Sequence, residues 1–401
     1  MGEQDVSGEG SCSCGRAGER AFATRCVHGP AQRSYVDGLK AVSQPIYQTA
    51  TFAHIRLGKS TGFDYTREKN PTRTHLEETM ASLEGAARAT AFSSGMAAVT
   101  ACFDLLAPGD HVICSDDLYG GVTRLIKVVA SKNGVVVEPA DTSDLASVEA
   151  LITPATKALY VETPTNPMMH VTDLRAAAEL AHAHGMLLIV DNTFLSPYFQ
   201  NPLALGADLV IHSGTKFLAG HNDTIAGFVC CASAEMGDHM DLLAKTVGSN
   251  LAPFDCWLVE RGIKTLAVRM ERQEANARRV AAWLVDNPQV EHVYYVGLPD
   301  HPGYEVNARQ ARGCGSMISF RTRDVETAER VLDDVKLVTF AESLGGTESL
   351  ITYPMTQTHP DVPPEVRERL GITATLLRLS VGLEDADDII ADLAQAFGAA
   401  K

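Results

Sequence analysis

Aromatic residues are scarce in this chain, 6% of 401 residues with two tryptophans, and cysteine is sparser still, nine in all. That is too few for a disulfide scaffold at this length. Cys102, Cys114, Cys230 and Cys231 sit inside apolar segments, where a reduced thiol serves as a small buried hydrophobe. Cys12 and Cys14 form a CxC in Gly/Ser-rich text with no second pair at zinc spacing, so no metal site is expected. Positive charge is also short. Lys and Arg number 34 against 50 Asp and Glu, a net charge of -16, which argues against a nucleic-acid partner. No apolar run approaches a membrane span and the N-terminus has no apolar signal core, so the expectation is a cytoplasmic protein with no membrane contact.

What is present is 45% apolar and 21% charged, the balance of a globular protein, at a length that implies two domains. Two apolar runs stand out. Residues 187–190 (LLIV) end in Asp191, and residues 209–211 (LVI) end in His212-Ser213-Gly214-Thr215-Lys216. In an open parallel sheet such runs are buried strands, and whatever follows their C-terminal ends projects into the ligand crevice. Asp191 and Lys216 then face one site. A carboxylate and an amine so placed suit pyridoxal 5'-phosphate, whose aldehyde is held by a lysine and whose ring nitrogen stays protonated against an anion. Ser213 and Thr215 would donate to its phosphate. For a lone lysine the plainer reading is a solvated surface residue, with Asp191 capping a turn.

Other segments bear on the choice. Residues 1–20 are polar, Gly-rich and aperiodic and read as a disordered tail; residues 21–64 lack sustained helical periodicity and read as an N-terminal arm. A polar loop, GFDYTREKNPTR (62–73), precedes a helix with Leu76, Met80 and Leu83 on its apolar face, Thr72 or Thr74 as its cap and Gly85 at its end. AFSSGM (91–96) opens a second helix reaching Leu106, whose first N–H groups form a ready phosphate site, although Ser and Gly are also ordinary caps.

From residue 110 to 197 strands and helices alternate, including a helix over about 121–133, and the strands end in Asp116, Asp141, Glu162 and Asp191. This pattern implies a parallel sheet covered on both faces. Tyr119 is placed to lay its ring on a flat cofactor, although taken alone the plainer reading is a core or surface tyrosine. After a long charged helix the text turns to a smaller α+β region, placed after about Gly262. There Glu342-Ser343-Leu344-Gly345-Gly346 follows a strand. Arg378 lies in an apolar strand, where its guanidinium needs a substrate carboxylate or an internal acid.

Together DYTREKNPTR, AFSSGMAA, DDLYGG, ETPTNP, VDNTF, HSGTKFLAGH, AESLGG and LLRLSVGLED resemble the Cys/Met-metabolism (transsulfuration) family of pyridoxal-phosphate enzymes, over about residues 21–397. Its members include cystathionine γ-synthase, cystathionine β- and γ-lyases and methionine γ-lyase. The resemblance implies an α/β enzyme of fold type I, aspartate-aminotransferase-like, with a large, mainly parallel sheet domain (65–262) and a smaller C-terminal α+β domain (263–401). It implies Lys216 and Tyr119 as catalytic. Lys216, Asp191, Ser213, Thr215, Gly95, Met96 and Tyr119 would bind the cofactor, with Tyr65 and Arg67 supplied by the neighbouring subunit of a homotetramer built as a dimer of dimers. Arg378, Asn166, Ser343, Glu342 and Asp64 would meet the substrate.

The implied activity is β- or γ-elimination from cystathionine, with cystine and homocysteine as further substrates. Cystathionine γ-synthase is the alternative, then methionine γ-lyase, and, from another class, a silent binding protein on the same fold. Asp64 and Glu342 favour a substrate with a distal ammonium over methionine. Methionine γ-lyases carry an apolar residue where Glu342 stands and a cysteine where Gly121 stands.

Overall fold

The computed structural model describes residues 20–30, 41–360 and 362–398. The tail of residues 1–20, Arg20 excepted, lies outside the described residues, and Cys12 and Cys14 lie there with it.

Apolar strands of five to seven residues build a sheet of seven. They are β1 (Arg88–Phe92), β2 (His111–Ser115), β3 (Val136–Ala140), β4 (Thr156–Glu162), β5 (Leu187–Asp191), β6 (Leu209–Ser213) and β7 (Gly227–Cys231), in the spatial order β1-β7-β6-β5-β4-β2-β3. β7 runs antiparallel to both its neighbours and the other pairings are parallel. Because side chains alternate along a strand, Leu188, Val190 and Val210 enter one core while Ile189, Leu209 and Ile211 enter the other. Both faces are therefore covered. Pro139 sits in β3, an edge strand, where its missing N–H costs no ladder bond.

The first core receives the Pro71–Glu84 helix, with Leu76, Met80 and Leu83 buried. Its cap is Asn70, whose side chain accepts the Thr72 N–H, and not Thr72 or Thr74. Proline at the first helical position makes the residue before it the cap. The Thr72 hydroxyl instead donates to the Pro45 carbonyl and accepts the Tyr47 N–H, tying down the arm. Gly85, at φ 74°, closes the helix as expected.

Three further differences from the sequence reading appear. Residues 91 and 92 end β1, and the helix expected from there runs Gly95–Phe103. The arm contains a short helix, Phe22–His28, burying Cys26 and setting Phe22 edge-on to Tyr198. The single charged helix is two, Pro253–Ile263 and Leu266–Asp286. At the break Arg269 donates to the carbonyls of Gly262, Phe217 and Leu218, so the helix joint grips the backbone just after Lys216. The boundary read near Gly262 falls in the last turn of the first of these helices. All seven described cysteines are free and buried.

A second sheet carries β8 (Val290–Tyr294), β9 (Met317–Thr322), β10 (Thr339–Phe340), β11 (Leu350–Thr352) and β12 (Leu376–Ser380), ordered β10-β11-β12-β9-β8. Arg378 stands in the middle of β12, opposite Thr352 and Ser319. No helix among the described residues is long and apolar enough to cross a membrane.

Candidate active site

β1, β2, β4, β5 and β6 all end at one edge of the large sheet, which gathers Ser94, Asp116, Glu162, Asp191 and Ser213 there. This is the edge at which open α/β sheets bind ligands. Gly95 and Met96 open the Gly95–Phe103 helix and have no intrahelical acceptor for their N–H groups, while the Ser94 side chain caps Ala97. A Cβ on Gly95 would fall 2.9 Å from Ser213 Cβ, so glycine is what lets this helix end meet the β6 end.

Lys216 follows β6 by three residues and reaches across to the smaller domain. Its Nζ donates to Ser343 Oγ at 2.8 Å. Ser343 has φ 83°, a conformation that costs a serine about 1–3 kcal/mol and is held here by what it binds. Its carbonyl accepts Arg378 at 3.0 Å. Arg378 donates as well to Asn166 Oδ1 at 2.8 Å and to Thr352 Oγ1 at 3.2 Å. The arginine is 2% exposed, its Nε is unpartnered, and it forms no ion pair with an acid among the described residues. Lys216, Ser343, Arg378 and Asn166 thus form one connected cluster.

Burial, then the positive charge of Arg378, bring the Lys216 amine down to about 8, while the charge of Glu342 opposes the shift. A lowered pKa means that the reactive neutral amine appears at lower pH than in a free lysine. Uptake of pyridoxal phosphate by the apoprotein, followed by stopped-flow absorbance, should therefore rise with pH and level off above about 8. Glu342→Gln removes an anion that favours the ammonium and should move that midpoint downward; an upward move or none would remove Glu342 from the site's field.

Asp191 Oδ1 accepts the Thr193 N–H at 2.9 Å, and the Thr193 hydroxyl accepts the Ser213 N–H at 2.9 Å, which pins the ends of β5 and β6 together. Burial raises the Asp191 carboxyl; the Thr193 donors and the charge of His212 oppose this. The Thr215 hydroxyl exchanges hydrogen bonds with the Ala226 backbone, so it would have to turn from the Ala226 carbonyl to donate elsewhere.

Tyr119 precedes the Gly120–Leu125 helix, which continues as a π-helical turn over Ile126–Ala130 instead of running on as α-helix to residue 133. Its ring is 43% exposed and lies against Gly121: a Cβ there would come 2.5 Å from Tyr119 Cε1 and 3.0 Å from Met96 Sδ. Gly121→Ala should push the ring aside and lower kcat by roughly 10–100-fold with the fold intact by circular dichroism. Unchanged kcat would show that the ring position is immaterial. His359, from the smaller domain, sits over the same region, its Nε2 shared between the Leu118 and Asn166 carbonyls at 3.1 Å each. Burial lowers its pKa to about 4, leaving a neutral ring that donates from Nε2.

Glu342 is exposed beside this cluster. Tyr65, Arg67 and Asp64 are not brought to it: none of their described contacts is with Lys216, Asp191 or Arg378. Tyr65 is exposed with the Arg67 guanidinium 5.5 Å from its ring centre; Arg67 donates to the Lys245 carbonyl and Asp64 accepts from Ser60. Little in the sequence singles out Thr193, Thr352 and His359: Thr193 lies inside VDNTF but carries no signal of its own, and Thr352 and His359 act through partners far along the chain.

An anion and a lysine at the ends of neighbouring strands, free amides at a helix start and an exposed ring beside them fit pyridoxal phosphate, and the fold and site define a pyridoxal-phosphate-dependent enzyme of fold type I. More narrowly, the chain belongs to the Cys/Met metabolism PLP-dependent enzyme family, whose pattern matches residues 23–398. It is 48% identical over 373 residues to a cystathionine gamma-lyase of Bacillus subtilis, covering 93% of this chain and 98% of that protein. It is 49% identical over 363 residues to a cystathionine gamma-synthase of Haemophilus influenzae, covering 90% and 94%. The solved cystathionine gamma-lyase of Lactobacillus plantarum, complexed with L-serine, superposes with a TM-score of 0.92 at 43% identity over 94% of this chain and 99% of that one.

Proposed function

We propose that this chain is a carbon-sulfur lyase that splits cystathionine, and with it cystine and homocysteine, by β- or γ-elimination. The observation that carries the reading is Arg378, a buried guanidinium with no ion-pair partner among the described residues, one serine away from the Lys216 amine. An α-carboxylate on Arg378 puts the substrate's Cα beside that amine. Glu342 supports a distal ammonium, since its charge is felt at both Lys216 and Arg378.

Pyridoxal phosphate, when bound, supplies the sink for negative charge left at Cα. Asp191 would hold its ring nitrogen; the Gly95 and Met96 amides with Ser213 and Thr215 would hold its phosphate. Lys216 Nζ takes the proton from Cα and can pass it on within the site, and its lowered pKa suits it to that exchange near neutral pH. Tyr119, exposed beside Gly121 and Met96, would lie against the cofactor and could donate a proton to the departing sulfur. Asn166 and Ser343 orient the carboxylate and the cofactor's ring hydroxyl, and Ser343 also keeps Lys216 aimed inward.

The exposure of Tyr65 and Arg67 away from their own Lys216 supports a homotetramer, a dimer of dimers in which they serve the neighbour's phosphate and Asp64 the neighbour's substrate. The net charge of -16 supports a cytoplasmic location. The domains follow as an arm, a cofactor-binding domain to about residue 262 and a smaller domain after it.

γ-Replacement, joining an O-acylhomoserine to cysteine, is the second reading, favoured by the 49% identity to the Haemophilus protein and served by the same side chains. The deciding measurement is the keto acid released from cystathionine by the loaded enzyme. Pyruvate identifies β-elimination and 2-oxobutyrate γ-elimination. Neither, with cystathionine formed from O-acylhomoserine and cysteine, transfers the assignment to the synthase.

A further inference from the structure

Glu162 is 5% exposed and ends β4 directly opposite Asp191, which ends β5; the two are register partners in neighbouring parallel strands. Paired positions in parallel strands project to the same face, so the buried Glu162 carboxyl and the half-buried Asp191 carboxyl share one corner. Glu162 Oε2 accepts the backbone N–H of Tyr119 at 3.1 Å. That bond fixes the segment that aims the Tyr119 ring.

Two carboxylates side by side in a buried site do not both ionise. The charged and titratable groups around the pair decide which one keeps the proton. Glu162 faces Asp191 from β5, Asp117 from the segment after β2, and Tyr160 two residues back on its own strand. The nearby cation, Arg378, spends its donors on Asn166, Ser343 and Thr352 and not on Glu162. Glu162 and Asp191 each accept a backbone N–H, from Tyr119 and Thr193; what sets Asp191 apart is the favourable charge of His212, on β6. Burial and the Asp191 charge push the Glu162 carboxyl well above the usual carboxylate range.

We propose that Glu162 is a positioning residue working as an uncharged carboxylic acid, which clamps the Tyr119 segment to the sheet edge and leaves Asp191 the single anion of the pair. The inference rests on the assignment of Asp191 to the cofactor's ring nitrogen. Its logic is a division of labour: a charged Glu162 would compete with Asp191 for the ring proton, and an apolar residue would free the Tyr119 segment.

The test is the infrared spectrum of the protein at neutral pH, with and without pyridoxal phosphate. The carbonyl stretch of protonated carboxylic acids should lose one component in the difference spectrum of wild type minus Glu162→Gln, over the background of the other buried carboxyls such as Glu77 and Glu84; no loss overturns the proposal. Because Gln is neutral and keeps an acceptor oxygen, this variant should also retain cofactor affinity and the pH dependence of the bound cofactor's absorbance within about twofold. A shift of one pH unit or more in Glu162→Gln also overturns the proposal.

Glu162→Leu tests the clamp. It should lower kcat and weaken the circular dichroism that the bound cofactor acquires from its surroundings; retention of both would remove the positioning role. Asp191→Asn separates the two readings. If it leaves cofactor affinity and absorbance unchanged, the Asp191 assignment fails, whereas the infrared band still reports on Glu162 directly.

Discussion

Lys216→Ala should erase the visible absorbance of the lysine-bound cofactor and reduce kcat on cystathionine by roughly 10³-fold or more. Two functions are lost together, the covalent hold on the cofactor and the amine that moves the Cα proton. Lys216→Arg should fare no better, because a guanidinium does not deprotonate in the working range. The fold should survive both changes, since the Lys216 amine makes one described hydrogen bond, to Ser343, while Arg269 holds the backbone of the same loop. Partial rescue of Lys216→Ala by an added primary amine would support the proton-transfer role. A variant that kept its colour and rate would overturn the assignment of Lys216.

Arg378→Lys should cost about 10²–10³-fold in kcat/KM, chiefly through KM. A lysine brings one compact charge to a place where three separate acceptors, on Asn166, Ser343 and Thr352, are now met by a planar fork. Arg378→Leu should show a further sign. The Arg378 charge helps lower the Lys216 pKa, so its removal should move the pH midpoint of cofactor uptake above about 8, while Arg378→Lys should leave it nearly in place. Equal midpoints in all three proteins would mean that Arg378 and Lys216 are not electrically coupled.

The large sheet was legible because β2, β4, β5 and β6 are short apolar runs that stop abruptly at polar residues, and those stopping points line the edge where the candidate site lies. β1 was not, because Ala91 and Phe92 run without a break into the helix-forming SSGMAA that follows. The joint at residues 263–266 was hidden because the force that breaks the helix, Arg269 reaching back to Gly262, Phe217 and Leu218, depends on a tertiary fit. Lys216, Asp191 and Arg378 announce themselves by sitting in apolar text. Glu162 and Thr193 do not: their importance lies in which strand end stands next to which, and that is a property of strand order.

The contact between the smaller domain and the Tyr119 segment bears on how this enzyme could be recombined with its relatives. A Cβ on Gly120 would stand 1.9 Å from the Thr358 carbonyl oxygen, and His359 closes over the Leu118 and Asn166 backbone. The two domains therefore do not behave as interchangeable modules. A chimera that took its C-terminal part from one relative and its sheet domain from another would work only where residue 120 and the 358–359 segment came as a matched set.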